Sequence, residues 1–305
     1  MKLIVHGQQA FGKSVLEALL ARDEKICAVY CAPDIDGGRP DPLKEFAQNQ
    51  GLLVFQPTSY KDPTVWEQMR SLKADLCVMA YVTLMVPEEV LNTPRLGSIQ
   101  YHPSLLPMHK GPSSINWPII NGEKKTGLSI FWPDDGLDTG PILLQKEVAI
   151  DQDDTVGSLY FNHLFPMGID AILEAVDLVR EGAAPKLSQD PKAGTYEGWC
   201  RAADVEIDWA QPMDTVYNLI RGANPQPGAW TTLNGHKVTI LDTHKVIDCP
   251  QSEPGSVVEV ATDGVSIGCM DGAVCVEKFR PKEAGKMTTT EFLAHYDIEA
   301  GSRFG

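Results

Sequence analysis

The chain has 305 residues and a hydrophobic content of 43%, which is enough for a sizeable buried core. Its formal net charge of −15 repels phosphate backbones, and no basic patch stands out, so a nucleic-acid partner is disfavoured. No apolar run approaches the roughly 18 residues of a membrane span, and the first residues lack the apolar length of a signal peptide. The seven cysteines form no CxxC pair. These features predict a cytoplasmic protein with reduced thiols and no membrane partner.

Short β-branched runs alternate with helical periodicity through the first part of the chain. Strands are expected over residues 3–5, 26–31, 52–55, 75–79 and 98–102, and helices over 11–20, 43–49, 65–71, 87–91 and 112–120. Two further strands, 129–132 and 142–148, have no helix between them and are expected as an antiparallel pair at the sheet's edge. A long helix over 155–182 follows. The pattern predicts an α/β fold with a Rossmann-like, mostly parallel sheet and helices on both faces.

The last third of the chain has a different pattern. Residues 183–194 are rich in proline, alanine and glycine, which predicts a linker. One helix, 213–221, then precedes five short strands, expected over 229–233, 237–242, 255–261, 265–269 and 273–279. Five strands of this kind favour a small OB-like β-barrel. The predicted domains are therefore 1–200, with the α/β fold, and 204–305, with the barrel.

The first strand and helix suggest a dinucleotide site at first sight. Gly7 and Gly12 open the helix, and Asp34 follows the second strand. However, the G-x-G-x-x-G fingerprint is absent, because Gln9 stands where a second glycine would let the backbone approach a pyrophosphate. No NAD is therefore expected, and the glycines are interpreted as a tight turn and a close helix contact.

A stronger candidate site follows the strand 98–102, at the edge where open α/β sheets bind ligands. Gln100 and His102 share one face of this strand, since alternate residues point the same way. A second loop, 134–140, contains two glycines and three carboxylates, among them Asp138. A carboxylate beside an imidazole favours the imidazolium, which stabilises a developing oxyanion, and the carboxylate itself accepts a proton from a nucleophile. The pattern predicts an acid/base pair suited to addition to a small carbonyl.

Other readings of these loops have weaker support. A lone strand histidine is more often structural than catalytic, and the acidic loop lacks the spacing of a calcium site. A transition-metal site would need a third ligand, for which His109 is the only nearby candidate, so no metal is expected. Serine catalysis is disfavoured because Ser104, Ser113 and Ser114 lack a nucleophile elbow.

The two loops resemble those of the folate-dependent formyltransferase family. The likeness is carried by the run His102-Pro103-Ser104-Leu105-Leu106-Pro107 with Gly111, and by Gly136-Leu137-Asp138-Thr139-Gly140. It continues along the chain in residues 7–12, 151–155, 196–198, 207–209, 220–222 and 227–230. Within the family the sequence is most similar to the hydrolase part of 10-formyltetrahydrofolate dehydrogenase, through residues 101–103, 114–117 and 130–135.

The resemblance implies roles for individual residues. His102 is implied as the general acid or oxyanion partner and Asp138 as the base that helps to activate the nucleophile. The loop with Leu84, Met85 and Val86 is implied to hold the pterin ring of 10-formyltetrahydrofolate through its backbone.

Two positions depart from the family's pattern. Formyltransferases usually have asparagine at position 100 as an oxyanion donor, whereas the dehydrogenase relatives have an apolar residue. Gln100 keeps the amide of the former and adds a methylene. Met108-His109-Lys110 stands where many relatives have an arginine directly after Leu-Leu-Pro.

The formyl acceptor stays open at this point. Hydrolysis to tetrahydrofolate and formate is preferred, and the alternatives are methionyl-tRNA formylation, N-formylation of a small amine such as an amino sugar, and a non-catalytic folate-binding subunit. Charged tRNA is the less favoured acceptor, because the loop 32–42 has three aspartates and one arginine where tRNA-reading relatives carry a longer basic insertion. Residues 204–305 likewise have 8 Lys and Arg against 15 Asp and Glu, a balance of −7. The dehydrogenase resemblance also implies a separate aldehyde dehydrogenase or carrier protein as a partner.

Overall fold

The computed structural model describes residues 1–250 and 252–305, which form two compact units. The first unit comprises Met1–Gly111, Gly127–Glu147 and Asn162–Tyr196, and the second comprises Pro112–Thr126, Val148–Phe161 and Glu197–Gly305. Both units are therefore discontinuous in sequence. The domain boundaries 1–200 and 204–305 stay a prediction.

A seven-stranded sheet organises the first unit. Its strands are β1 (Lys2–Gly7), β2 (Lys25–Tyr30), β3 (Val54–Phe55), β4 (Leu76–Ala80), β5 (Ser98–His102), β6 (Lys125–Phe131) and β7 (Ile142–Ala149). Their order is β3-β2-β1-β4-β5-β6-β7. The first five strands pair in parallel, and β6 pairs antiparallel to β5. The predicted mostly parallel sheet, with its two helix-free strands at one edge, is confirmed.

The helices as far as residue 181 are α1 (Gln9–Ala21), α2 (Pro42–Asn49), α3 (Pro63–Ser71), α4 (Glu88–Leu91), α5 (Asn116–Ile120), α6 (Val156–Leu159) and α7 (Phe165–Glu181). Helices α1, α2, α3, α4 and α7 pack against this sheet, whereas α5 and α6 belong to the second unit. The side chains of Asp41 and Asp62 accept hydrogen bonds from the first backbone amides of α2 and α3, whose first residues are prolines. Among the described residues, none of the helices has the length and apolar character needed to cross a membrane.

The single long helix predicted over residues 155–182 is not continuous. A π-helical turn, Tyr160–Leu164, separates α6 from α7. Pro166 lies in the first turn of α7 and has no N–H to donate to the carbonyl four residues earlier, which accounts for the break in the regular ladder.

The strands place alternate residues in two separate cores. Leu3 and Val5 pack with α1, α2 and α7 on one face of the sheet, whereas Ile4 packs with α3 and α4 on the other. Burial on both faces explains why these strands have continuous apolar runs in the sequence, as parallel sheets generally do.

His6 is a buried polar residue at the end of β1. Only 4% of it is exposed, and its Nε2 lies 2.8 Å from the hydroxyl of Tyr60. Burial disfavours the charged ring and lowers the pKa of His6 to about 3. The imidazole is therefore neutral at physiological pH and serves as a structural hydrogen-bonding group.

Two four-stranded antiparallel sheets form most of the second unit. Their strands are β8 (Trp230–Leu233), β9 (His236–Ile240), β10 (Thr243–Val246), β11 (Val257–Val260), β12 (Val265–Gly268), β13 (Ala273–Val276), β14 (Lys278–Pro281) and β15 (Met287–Thr288). The orders are β10-β13-β12-β11 and β15-β14-β9-β8. Residues of both sheets contribute to one core, which also includes Val216 and Ile220 of α8 (Met213–Gly222) and Phe292 of α9 (Thr289–Leu293).

The antiparallel strands predicted for this unit are present, but the OB-like barrel that they were expected to form is not closed. The predicted strand 273–279 divides into β13 and β14, because the chain leaves one sheet and enters the other at Glu277. The predicted strand 237–242 corresponds to β9, and the chain changes sheets after it, at Asp242, to form β10. The two crossings are adjacent, since the amide of Glu277 donates to the carbonyl of Asp242 at 2.9 Å. Two short bends of this kind give two sheets around one core.

A buried arginine explains two of the family-like segments of the second unit. Arg221, with 4% exposed, donates from Nη1 to the carbonyl of Asp154 at 2.9 Å and from Nε to Asn218 at 2.8 Å. Nearby, the hydroxyl of Tyr217 donates to the carboxylate of Asp153 at 2.8 Å. Residues 151–155 and 220–222 are thus linked structurally, and neither segment needs a catalytic explanation.

The neutral state of His6 predicts a specific pH dependence of stability. Below about pH 6.5 the unfolded chain binds a proton at this residue that the folded chain does not bind until about pH 3. The contribution of neutral His6 to the free energy of unfolding is therefore fully present above pH 6.5. It is lost as the pH falls, by about 1.4 kcal/mol per pH unit. Urea unfolding between pH 7.5 and 5 should show that His6→Gln lacks this slope.

The matched control is Tyr60→Phe, which removes the hydroxyl partner and keeps the imidazole. It should lower the free energy of unfolding at every pH and retain the wild-type slope. If plots of the free energy of unfolding against pH are parallel for wild type and His6→Gln, His6 does not titrate differently in the folded and unfolded states.

Candidate active site

His102 is the last residue of β5, at the carboxyl edge of the sheet. It pairs across the strands with Ser129 of β6, and only 6% of it is exposed. A buried imidazole needs hydrogen-bonding partners, and the turn that follows the strand supplies one. Its Nε2–H donates to the main-chain carbonyl of His109 at 2.9 Å. Because a carbonyl can only accept, this contact fixes the proton on Nε2 and leaves Nδ1 on the opposite side of the ring.

The turn after His102 is held by a buried serine. The hydroxyl of Ser129 accepts from the amide of Leu106 at 3.0 Å and donates to the carbonyl of Ser104 at 2.7 Å. The side chain of Gln145, on β7, donates to the same hydroxyl and to the carbonyl of Leu106, at 2.9 Å in each case. These bonds attach the loop to the two antiparallel edge strands.

Residues 107–111 are held by a second segment that lies far along the chain. The hydroxyl of Thr195 accepts from the amide of His109 at 2.9 Å, and the carbonyl of Thr195 accepts from Lys110 at 3.1 Å. His109 itself has a left-handed backbone, with a φ of 53°. The loop therefore presents its carbonyl to His102 in a fixed geometry.

Asp138 reaches the same place from the loop between β6 and β7. Its Oδ2 accepts from the amide of Gly111 at 2.9 Å and lies 3.7 Å from Nδ1 of His102. Asp138 is as buried as His102, with 6% exposed, and its φ of 56° is unusual for a residue with a side chain. The loop is also tightly seated at Gly140, where a Cβ would lie 1.8 Å from the carbonyl of Trp132.

His102 and Asp138 present a ring nitrogen and a carboxylate oxygen to each other. The 3.7 Å separation is longer than a direct hydrogen bond, and catalytic contacts in ligand-free sites commonly shorten when substrate binds. One carboxylate oxygen is bound by a main-chain amide, and the imidazole is held at its far nitrogen. Both groups can therefore act on an atom between or beside them without first having to reorient.

The other predicted site residues lie on neighbouring strands. Gln100 is a half-buried residue of β5, paired with Phe131 of β6. The loop 81–87 follows β4, which pairs with β5. In it Met85 is 59% exposed, Val86 is buried and Leu84 is half-buried. The amide of Glu88, directly after this loop, donates to the carboxylate of Asp135 at 3.2 Å. The predicted pterin loop thus adjoins the loop that carries Asp138.

The amino end of α1 is occupied by a side chain of the protein itself. Both carboxylate oxygens of Asp41 accept from the amide of Gln9, at 3.0 and 2.8 Å. In a dinucleotide-binding fold the corresponding amides face a pyrophosphate. Gly7 lies close to β4, because a Cβ there would be 2.2 Å from the carbonyl of Ala80. A tight turn at Gly7, with its backbone close to β4 and the next amide bonded to Asp41, accounts for this segment as part of the fold.

Metal ligation has no support from the geometry of the described residues. Across 1–250 and 252–305, no three His, Cys, Asp or Glu side chains are grouped so that they could hold an ion. His109, the third ligand considered from the sequence, instead contacts His102 through its main-chain carbonyl.

Several residues that build the site were missed in the sequence. Ser129 had a usable signal, since a polar residue within the buried strand β6 requires partners. Thr195 and Gln189 had none, because both follow α7 in a region whose composition predicts only a linker. Gln189 donates from Nε2 to the carbonyls of Asp138 and Gly140, at 2.9 and 2.7 Å.

Sequence and fold similarities agree with this geometry. Residues 1–174 match the formyl transferase family, and residues 200–297 match the formyl transferase C-terminal domain. A methionyl-tRNA formyltransferase from Geobacter metallireducens is 34% identical over 310 residues, which cover 100% of this chain and 99% of that protein. The chain therefore belongs to the formyl transferase family.

Two further relatives bear on the function. The human mitochondrial 10-formyltetrahydrofolate dehydrogenase is 44% identical over 299 residues, which cover 94% of this chain and 32% of that protein. The present chain thus spans about a third of that relative. The structure of an N-formyltransferase from Helicobacter canadensis, in complex with folinic acid and dTDP-3-aminofucose, superposes with a TM-score of 0.70 at 20% identity. The match covers 94% of this chain and all of that one, and at this identity it shows a shared fold.

Proposed function

We propose that the protein removes the formyl group of 10-formyltetrahydrofolate by hydrolysis and releases tetrahydrofolate and formate. The observation that carries this proposal is the buried pair of His102 and Asp138, 3.7 Å apart at the carboxyl edge of the sheet. Support for a folate donor comes from membership of the formyl transferase family and from the 44% identity to a 10-formyltetrahydrofolate dehydrogenase. The loop with Leu84, Met85 and Val86 is the proposed pterin site.

In the proposed reaction, Asp138 accepts a proton from water as the water oxygen bonds to the formyl carbon. The carbonyl electrons move to oxygen, and the resulting oxyanion is stabilised by the amide of Gln100 and by the imidazolium form of His102, which donates from Nδ1 while its Nε2–H stays bonded to the carbonyl of His109. Collapse of this intermediate breaks the bond between the formyl carbon and N10, and N10 takes the proton that Asp138 accepted from water, which regenerates the carboxylate. The formic acid that is released loses its own proton to solvent. The products are formate and tetrahydrofolate, and the reaction needs no oxidant because it is redox-neutral.

Charge and local bonding favour water over charged tRNA as the acceptor. In the loop 32–42, Asp34 pairs with Lys44, so the positive charge of that lysine is neutralised. Asp41 caps α2 and accepts a hydrogen bond from the amide of Gln9. The loop is thus a short acidic segment tied to its own unit. Its charge, and the balance of −7 over residues 204–305, suit an RNA backbone poorly.

Transfer to a small amine is the second candidate. The relevant observation is the shared fold with an N-formyltransferase whose structure contains an aminosugar nucleotide. An amine would attack the same formyl carbon and lose its proton to Asp138, so the catalytic pair does not distinguish it from water. A separate aldehyde dehydrogenase or carrier protein is a proposed partner, and pull-down with the purified protein that recovers neither would contradict it.

The first test incubates the purified protein with 10-formyltetrahydrofolate alone and follows tetrahydrofolate and formate. Wild type should turn over, and His102→Ala and Asp138→Asn should each lose about 10²- to 10⁴-fold in kcat, the usual range for a general acid or base. The matched controls are His236→Ala and Asp62→Asn, at an exposed strand position and a helix cap, and both should retain activity. Turnover that appears only after an amine or charged initiator tRNA is added would identify a transferase.

Gln100 gives a separate test of the oxyanion site. Gln100→Leu removes the amide at similar volume and should lower kcat by about 100-fold, with little change in KM, if the amide donates only in the transition state. Gln56→Leu, which removes a half-buried amide that donates to the carbonyl of Ala32, is the matched control and should keep wild-type kcat. An unchanged kcat in Gln100→Leu would leave His102 as the sole side-chain stabiliser in the mechanism.

A further inference from the structure

Gln189 is the residue outside the predicted site that bonds most directly to it. It is half-buried between two exposed neighbours, Ser188 and Asp190, in the segment that follows α7. Its Nε2 donates one hydrogen bond to the carbonyl of Asp138 at 2.9 Å and another to that of Gly140 at 2.7 Å. A single side chain therefore uses both of its N–H groups on the loop that carries the catalytic carboxylate.

The orientation of this amide follows from its partners. Both contacts are carbonyl oxygens, which can only accept, so the NH₂ group must face the loop. Oε1 is then directed away, and it is buried without a hydrogen-bond partner among the residues that the structure describes. An unpaired buried acceptor is destabilising, because it has lost its hydrogen bonds to water without a replacement. An apolar side chain of similar shape would avoid that cost, so the benefit of glutamine lies in the two bonds that it donates.

The loop needs such support because its geometry is demanding. Asp138 has a left-handed backbone, which is unfavourable for a residue with a Cβ. Gly140 lies against the carbonyl of Trp132, so the loop has little freedom to shift on that side. The two bonds from Gln189 hold the carbonyls on either side of Thr139, and they fix the peptide from which the Asp138 side chain projects.

We propose that Gln189 is a positioning residue that aims the carboxylate of Asp138 at the amide of Gly111 and at His102. Its effect on turnover rests on the proposed function, whereas its effect on the loop does not. The expected signature is a lower kcat with little change in KM, because a misplaced base affects the chemical step more than the binding of folate.

Two substitutions test the proposal. Gln189→Glu replaces the amide with a carboxylate of the same shape, which is repelled by both carbonyls, and Gln189→Met removes the donors and adds no charge. Each should lower kcat by about 10- to 100-fold with KM changed less than about 3-fold. Gln56→Glu makes the same change at another half-buried glutamine that donates to a main-chain carbonyl, and it should keep wild-type kcat.

Hydrogen exchange supplies a readout that does not depend on activity. The amide of Gly111 donates to Asp138, so it should exchange at least about 10-fold faster in both Gln189 variants and at the wild-type rate in Gln56→Glu. The amide of Val5, in the central strand β1, reports global unfolding and should be unchanged in all of them.

The outcomes separate the two proposals. Wild-type kcat and wild-type exchange at Gly111 in both Gln189 variants would overturn the positioning role while leaving the formyl hydrolase intact. A wild-type protein that cleaves no 10-formyltetrahydrofolate would overturn the proposed function, and the exchange of Gly111 would still decide the role of Gln189. Equal acceleration at Gly111 and Val5 would show a loss of overall stability and would also contradict the positioning role.

Discussion

The hydrogen bond from the Gly111 amide to the carboxylate of Asp138 is the contact on which the site depends. It joins the loop after β5 to the loop between β6 and β7 and brings the carboxylate to 3.7 Å from the imidazole of His102. Neither loop would hold this geometry alone, because His109 and Asp138 both have left-handed backbones. The cost of these conformations is offset by bonds from outside each loop, through Thr195 and Gln189.

The sheet topology explains why the site lies where it does. Parallel pairing of β4 with β5 brings their carboxyl ends, and therefore the loops 81–87 and 103–111, to one edge. β6 runs antiparallel to β5, so Ser129 lies opposite His102 and can bond the turn that follows it.

Sequence reasoning located the central pair but not its supports. Gln100, His102 and Asp138 could be found because polar residues at the end of a buried strand, and a loop rich in glycine and carboxylates, are recognisable locally. Gln189 and Thr195 could not, since their importance comes only from tertiary proximity to residues about 50 and 86 positions earlier in the sequence. The division of the second unit into two sheets was missed for a related reason: strand periodicity shows that residues 273–279 are extended, but not that the chain changes sheets at Glu277.

The structure also bears on how a formyltransferase site can favour water. In the proposed mechanism the pair of His102 and Asp138 does not select the acceptor, because water and an amine would both lose a proton to Asp138 as they attack the same carbon. Selectivity must therefore come from surfaces around the pair. An acidic loop tied down by Lys44 and by the end of α1, together with an acidic second unit, gives a polyanionic acceptor no electrostatic attraction. Water needs no attracting surface, so this charge distribution supports the proposal of hydrolysis over the alternative of transfer to tRNA.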